Sequence, residues 1–421
     1  MSVKTHRNSI VGLVGLVAGL SAGDALAGGF QLREQSATGL GESYAGSAAS
    51  GEDASTIWYN PAAMTRLKGN QLAGYATLYM PYAKFTGTGL PGGSKPGDAI
   101  QDALGGSSFA FWDYSSDLKF GIGVTSPFGL RSSYRIGSQA AYQALKTSLT
   151  NIVVNPSVAY RVAPGFSIGG GVSISYAEAE FSQQIPSPPY PANSWALARG
   201  DDVSFGFNLG AFWEVTPSTR VGLTYRSGID HTLDGYLKIQ MPAIGVMRRF
   251  DATAGVTLPA TASFGIVHEL DKDWTIKAGI DWTQWSVFKQ LSVVATGTGA
   301  PNMPAAIENW RDTWMVSLGA DYKVAPGHIL RVGTAYEITP IPDDAHRYAR
   351  VPDGDRFWLS AGYSWEVNKN LRWDIGYAHL FSPDAKIDEK NPFAPTNPFL
   401  NLKGSYSNHA DLISTGFVYK F

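Results

Sequence analysis

From Leu72 to Phe421 the chain repeats one design, a stretch of alternating character followed by a break, and nowhere in that span does it hold the roughly 18 consecutive apolar residues of a membrane helix. Leu72, Gly74, Ala76, Leu78 and Met80 interleave with Ala73, Tyr75, Thr77 and Tyr79. Further stretches with strand character run over residues 107–114, 119–126, 152–162, 166–181, 204–215, 220–239 and 256–270. The series continues over 275–294, 312–324, 328–338, 357–367, 371–387 and 402–421, which makes about fourteen strands bounded by turn residues. The breaks are of two kinds. Ala163-Pro164-Gly165, Thr216-Pro217-Ser218, Asp271-Lys272-Asp273, Ala325-Pro326-Gly327 and Asn368-Lys369-Asn370 are short, and they alternate with long segments at 87–106, 131–151, 185–201, 240–255, 295–311, 340–355 and 388–401. Short turns at one rim and long loops at the other describe an up-and-down antiparallel meander, and several strands exceed the 5–6 residues usual in soluble sheets.

Composition says where such a meander can live. Charged residues make up only 16 % of the chain, below the roughly 25 % of soluble domains, so the outer face requires apolar surroundings. The last stretch ends on Phe421, with Phe417 and Tyr419 on the same face, an amphipathic aromatic-ended strand of the outer-membrane barrel type. Trp112, Trp213, Trp274, Trp314, Trp365 and Trp373 fall near strand ends or on strand faces and suit interfacial girdles. The expected fold is all-β, a transmembrane antiparallel barrel of about 14 strands.

Residues 1–27 read as a signal peptide: Lys4, His6 and Arg7 form a basic start, residues 10–20 a short apolar run, and Ala25-Leu26-Ala27 a small-residue cleavage site. The chain has no cysteine, consistent with export. Residues 28–68 are rich in Gly, Ala and Ser, follow no sustained period, and carry the turn-forming pair Asn60-Pro61; they suit a compact plug, or hatch, packed inside the barrel formed by residues 69–421.

Several function classes are disfavoured. A net charge of −2 without a dense basic block argues against nucleic acid. The seven His residues form no nucleophile constellation, there is no Gly-x-Ser-x-Gly elbow, and His346 and His379 have no carboxylate spacing that converges on one metal. Neither an enzyme, a metal site nor a cofactor is expected. A general hydrophilic porin lacks a plug, so the forty-odd residues of the hatch count against it, although it stays an alternative.

Gly29-Phe30-Gln31-Leu32, Ser36-Ala37-Thr38-Gly39-Leu40-Gly41, Tyr44-Ala45-Gly46 and Asn60-Pro61-Ala62 resemble the hatch of the FadL family of outer-membrane long-chain fatty acid transporters. Ser126-Pro127-Phe128-Gly129-Leu130, Trp282-Thr283-Gln284-Trp285-Ser286 and residues 352–362 extend the resemblance along the chain. It implies a monomeric hatched barrel in the outer membrane of a Gram-negative bacterium, in contact with outer-membrane lipid, that passively takes up long-chain fatty acids or similar hydrophobic compounds. It implies capture in an outer apolar groove, a tighter interior pocket, and lateral exit beside a kinked third strand. Phe30 and Leu32, with Asn60, Pro61 and Ala62, would form the pocket and hatch. Pro127, Phe128 and Gly129 would form the opening, because Pro127 cannot donate to a ladder and Gly129 permits a bulge; the same residues could simply end a strand and begin a loop. Tyr142, Leu145, Leu149, Trp195 and Leu197 are the expected outer groove. Family members specialised for fatty acids place basic residues where this chain has Gln183 and Ala306. Arg199, Arg311 and Arg356, or Arg347 and Arg350, are then the candidate carboxylate partners, and neutral aromatic or aliphatic hydrocarbons are the alternative cargo.

Overall fold

Alternation over long stretches closes into a barrel because each strand can pair on both edges only if the first meets the last. The computed structural model describes residues 28–421, so the expected signal peptide lies outside the described residues. The main sheet contains nineteen strand pieces, which run as fourteen antiparallel staves. These are β1 (Gln71–Thr88), β2 (Ala103–Trp112), β3 in two pieces (Leu118–Thr125 and Gly129–Ser133), β4 (Lys146–Ala163), β5 (Phe166–Gln184) and β6 (Trp195–Glu214). Next come β7 (Thr219–Arg226 and Ile229–Met241), β8 (Val246–Leu258 and Thr261–Glu269), and β9 (Trp274–Thr283 with an outer extension Val293–Thr296). The last five are β10 (Thr313–Ala325), β11 (His328–Glu337), β12 (Arg356–Glu366), β13 (Leu371–Phe381, extended by Ala385–Glu389) and β14 (Leu402–Lys420). β14 pairs with β1 along its whole length, from Gln71↔Lys420 to Thr88↔Lys403, and closes the ring.

The two-residue period sorts side chains between two solvents. On β6, Val203, Phe205, Phe207 and Leu209 all face outward and are exposed, and the same holds for Val316 and Leu318 on β10. Aromatic residues edge this apolar band. Tyr336, Phe357 and Phe381 stand in register at its upper border, and Trp365 faces Trp373 at the lower one. This is the skin of a bilayer-spanning barrel. Above the band, β5, β6 and β14 project as paired extensions. For that reason the expected long loop 240–255 is in fact a tight turn at Pro242–Ile244: β7 and β8 stay paired up to Met241↔Val246.

The first forty described residues pack against the strands as short helical turns. One helical turn (Ala37–Gly41) packs on β11–β14, a second at Ser47–Ala49 on β7 and β8, and a third at Pro61–Arg66 on β4–β6. Glycines on the inner wall make room for them. A Cβ at Gly222 would overlap the Ala48 carbonyl, one at Gly333 the backbone of Glu42, and one at Gly376 the Ala37 carbonyl. Buried charges then fix the seating. Lys277 and Arg331 of the wall reach Glu42 (2.8 and 2.7 Å) and Glu52 (2.5 and 2.8 Å) of the plug. Glu42, Glu52 and Asp321 are close enough to share an ion, but Lys277 and Arg331 already supply the positive charge among them. Arg372 similarly ties Asp53 (2.5 Å) to Asp374 (3.0 Å).

If close approach at the glycines seats the plug, Gly333→Val should displace it while the barrel persists. We expect the variant to keep its heat-modifiable mobility on gels and to gain steady single-channel conductance in a planar bilayer; a silent, fully folded variant would contradict this packing.

Candidate functional site

One interruption of the wall lies between β2 and β3, at the kink the sequence marks. β2 and β3 pair from Trp112↔Phe120 to Ser108↔Val124, and the same register resumes only at an isolated bridge, Ile100↔Ser132. Between these points residues 101–107 face 125–131 without a ladder. The cause lies in Ser126-Pro127-Phe128. Against β4, Thr125 pairs with Val153 and Gly129 with Thr150, so three residues of β3 oppose two of β4, a bulge that swings β3 away from β2. Pro127 has no N–H to give to either side.

The free side of β3 is taken up by the N-terminal arm, residues 28–35. Gln31 forms an antiparallel bridge with Phe128, in which Leu32 N donates to Pro127 O (2.7 Å) and Gly129 N donates to Phe30 O (2.9 Å). The Gln35 amide donates to Ser126 O (3.1 Å), and Ser107 Oγ of β2 donates to Gln35 O (2.8 Å). The arm is tied to the opposite wall as well: Gly29 N donates to Asp353 Oδ2 (3.0 Å), and Arg33 pairs with Glu337 (3.3 Å). Phe30 points into an aromatic box of Trp285, Phe288, Trp310 and Phe128, with ring centroids 4.6 to 6.1 Å away. Gly29 has φ +74°, and any Cβ there would strike Trp285 and Trp310.

The box separates two cavities. Along β5, Phe181 and Gln183 line an outer one, Ala177 and Ala179 pack in the core around Phe30, and Ser173 lines an inner one; β7 repeats the order with Leu237, Leu233 and Ile229. The outer cavity, about 560 Å³, falls within the size range of ligand pockets and lies above the apolar band. Its wall is largely apolar (Ala196, Ala198, Leu237, Leu291, Met303, Ala306), and its polar groups include Arg350, Glu389, His346 and Lys390. The inner cavity, about 70 Å³, touches both Leu32 of the arm and Pro127 and Phe128 of the kink.

The expected residues distribute unevenly. Phe30, Leu32, Pro127, Phe128 and Gly129 meet at the gap. Asn60, Pro61 and Ala62 do not: Asn60 donates to Ala48 O and Ala211 O, and its oxygen caps Ala62 N, so this motif seats the plug on β5 and β6. Among the expected groove residues, Leu145 and Leu149 are buried, Leu149 in the core around Phe30, and Tyr142 neighbours the cavity-lining Gln143. Trp195 and Leu197 sit on β6 one position out of phase with the lining pair Ala196 and Ala198; strand parity turns the small residues inward, where they leave room. Gln183 and Ala306 do line the outer cavity. Arg199 pairs with Glu178 (2.6 Å), Arg311 is exposed at the rim, and Arg356 is buried with Asp353 and Glu337. Of the arginines weighed, Arg350 is the one that lines the cavity, and it donates to Gln183 Oε1 and to Thr147 Oγ1 (3.1 Å).

Two carboxyls stand beside Arg350. Burial, reinforced by Glu389, pushes Glu308 up to about 8 against the pull of Arg350, and burial pushes Glu389 up to about 8 although the Ala349 N–H donates to it at 2.7 Å. Below that value both are neutral and Arg350 gives the cavity a positive centre; above it they ionise and offset that charge.

Comparison with known proteins follows the same lines. The family model for outer membrane protein transport proteins (OMPP1/FadL/TodX) matches residues 18–421. The chain is 29 % identical over 397 residues to a long-chain fatty acid transport protein of Escherichia coli O6:H1, covering 86 % of this chain and 88 % of that protein. It is 27 % identical to outer membrane protein P1 of Haemophilus influenzae, covering 96 % and 97 %. In fold it is similar to a Pseudomonas aeruginosa FadL homologue (TM-score 0.85, 24 % identity, covering 93 % of this chain and 100 % of the other). It also resembles the Pseudomonas putida toluene transporter TodX (TM-score 0.74, 15 % identity, 94 % and 100 %).

The charge balance around Arg350 sets a sign for pH. A long-chain carboxylate should bind the purified protein roughly tenfold more weakly at about pH 9.5 than at about pH 7, because Glu308 and Glu389 lose their protons in between, whereas an alkane should bind equally at both. Equilibrium titration at the two pH values checks this, and Glu389→Gln should flatten the difference.

Proposed function

The chain belongs to the OMPP1/FadL/TodX family of outer membrane transport proteins, and from that premise we propose that it passively takes up long-chain fatty acids or similar hydrophobic compounds across the outer membrane of a Gram-negative bacterium. Cargo is captured in the outer cavity, passes the Phe30 box into the inner cavity, and leaves sideways between β2 and β3 when the arm withdraws from the kink. The observation that carries this reading is the arm itself, which occupies the free side of β3 through Gln31 and Phe128 while presenting Phe30 to the cavities.

Energetics favour a sideways route. Each buried methylene is worth about 0.8 kcal/mol, so a path through water would forfeit most of what binding an acyl chain gains, while an exit into lipid keeps it. Arg350 supports a carboxylated cargo. Gln183 and Ala306, uncharged and lining the same cavity, support neutral aromatic or aliphatic hydrocarbons as the second reading. The plug and its buried ion pairs count against a general porin. In this proposal residues 1–27 are removed on export, residues 28–68 act as the hatch of the barrel 69–421, and the protein works as a monomer surrounded by lipid, without cofactor or nucleic acid.

Replacing Pro127 by Thr and Gly129 by Val supplies the missing donor and favours regular pairing with β2. Uptake of labelled oleate by cells carrying this variant at normal surface levels should fall to near background; undiminished uptake would refute lateral exit.

A further inference from the structure

The inner cavity holds a cation that the fold does not neutralise. Arg226 ends the lower piece of β7, where the ladder to β6 breaks: Asn208 pairs with Arg226 and Asp201 with Asp234, so β7 carries one extra residue between those points. The bulge lets the Arg226 side chain reach into the cavity beside Asn151, Ser173 and Ser227. Its guanidinium lies 3.6 Å from the centre of the Trp58 ring and donates to Trp58 O (3.0 Å) and Ser173 Oγ (2.9 Å), two of the five donors an arginine carries. Among the described residues no carboxylate pairs with it. The other charged groups lining the cavity face one another rather than Arg226: Arg33 is held by Glu337 and lies in the field of Asp281, which also accepts from Ser263 Oγ.

A half-buried, unneutralised guanidinium with a planar fork of spare donors is a receptor for a carboxylate. The Trp58 ring fixes its plane, and Leu32, Phe128, Val153, Ile229 and Leu258 give the cavity an apolar side for a tail, next to polar groups such as Ser47, Thr224 and Thr261. We propose that Arg226 is a head-group station on the exit path: once the acyl chain has entered the gap at Pro127 and Phe128, the carboxylate rests on Arg226 until the tail is in lipid. This rests on the lateral-exit reading and adds to it a preference for carboxylated cargo at a second cation, below and separate from Arg350.

Uptake of radiolabelled oleate and of hexadecane by cells expressing wild-type protein, Arg226→Gln or Arg226→Lys separates the possibilities, with heat-modifiable mobility confirming folded barrels. Arg226→Gln should slow oleate about tenfold and leave hexadecane unchanged, and Arg226→Lys, which keeps the charge but not the planar fork, should fall between wild type and Arg226→Gln for oleate alone. Equal losses for both cargos would make Arg226 a mere support for Trp58, and an unchanged oleate rate would remove it from the path; either result overturns the inference. Wild-type uptake of hexadecane alone would also overturn it while leaving lateral exit standing, whereas wild-type uptake of neither would bring down lateral exit itself.

Discussion

Everything in this barrel is arranged around a short length of strand that cannot pair with its neighbour. A backbone N–H or C=O left without a partner in apolar surroundings costs several kcal/mol, so a barrel wall tolerates a gap only where something else meets those groups. Here the arm, residues 28–35, does so. The arm donates from Leu32, accepts at Phe30, and recruits Gln35 to Ser126. Residues 28–32 meet β3 through one bridge rather than a full ladder, with the Gly29–Asp353 hydrogen bond and the aromatic box around Phe30 as their other ties, and in the proposed route cargo that enters the box from above displaces them.

That division of labour needs a base that stays still. The plug below the arm is locked by ion pairs buried against the wall, Lys277 and Arg331 to Glu42 and Glu52, and Arg372 to Asp53. Removing one member of such a buried pair costs about 3–5 kcal/mol, far more than parting one bridge of neutral hydrogen bonds. In the proposed route the part that moves is therefore residues 28–32, ahead of the buried Arg33–Glu337 pair, while the rest of the plug stays seated.

Much of this was legible in the sequence because a bilayer imposes a strict period. Strands β9 to β14 begin and end within a few residues of the stretches read from alternation, and Pro127 and Gly129 marked the break. The outer extensions were harder, since above the membrane both faces meet water and the alternation weakens: β6 begins at Trp195 and β8 at Val246, well before the pattern emerges. The lining of the outer cavity differs from the expected groove for a related reason. Large apolar loop residues suggest a groove, but space is created by small ones, so Ala196 and Ala198 line it while Trp195 and Leu197 do not. Arg350 was one of five arginines named from the sequence with nothing to set it above the others, and Arg226 was not among them. Each acquires meaning from what surrounds it in three dimensions, carboxyls in one case and their lack in the other.

The chain has no cysteine, which permits a direct test of the arm as gate. Gln31 and Phe128 are partners in an antiparallel bridge, where Cα atoms lie roughly 4.5–5.5 Å apart, within the span a disulfide can close. Oleate uptake should be measured for the Gln31→Cys, Phe128→Cys double variant before and after reduction, beside each single variant. The account predicts uptake that is abolished when the pair is oxidised and restored to the single-variant rate by reductant. Equal uptake by the oxidised and reduced forms would show that cargo leaves without moving the arm, and would contradict it.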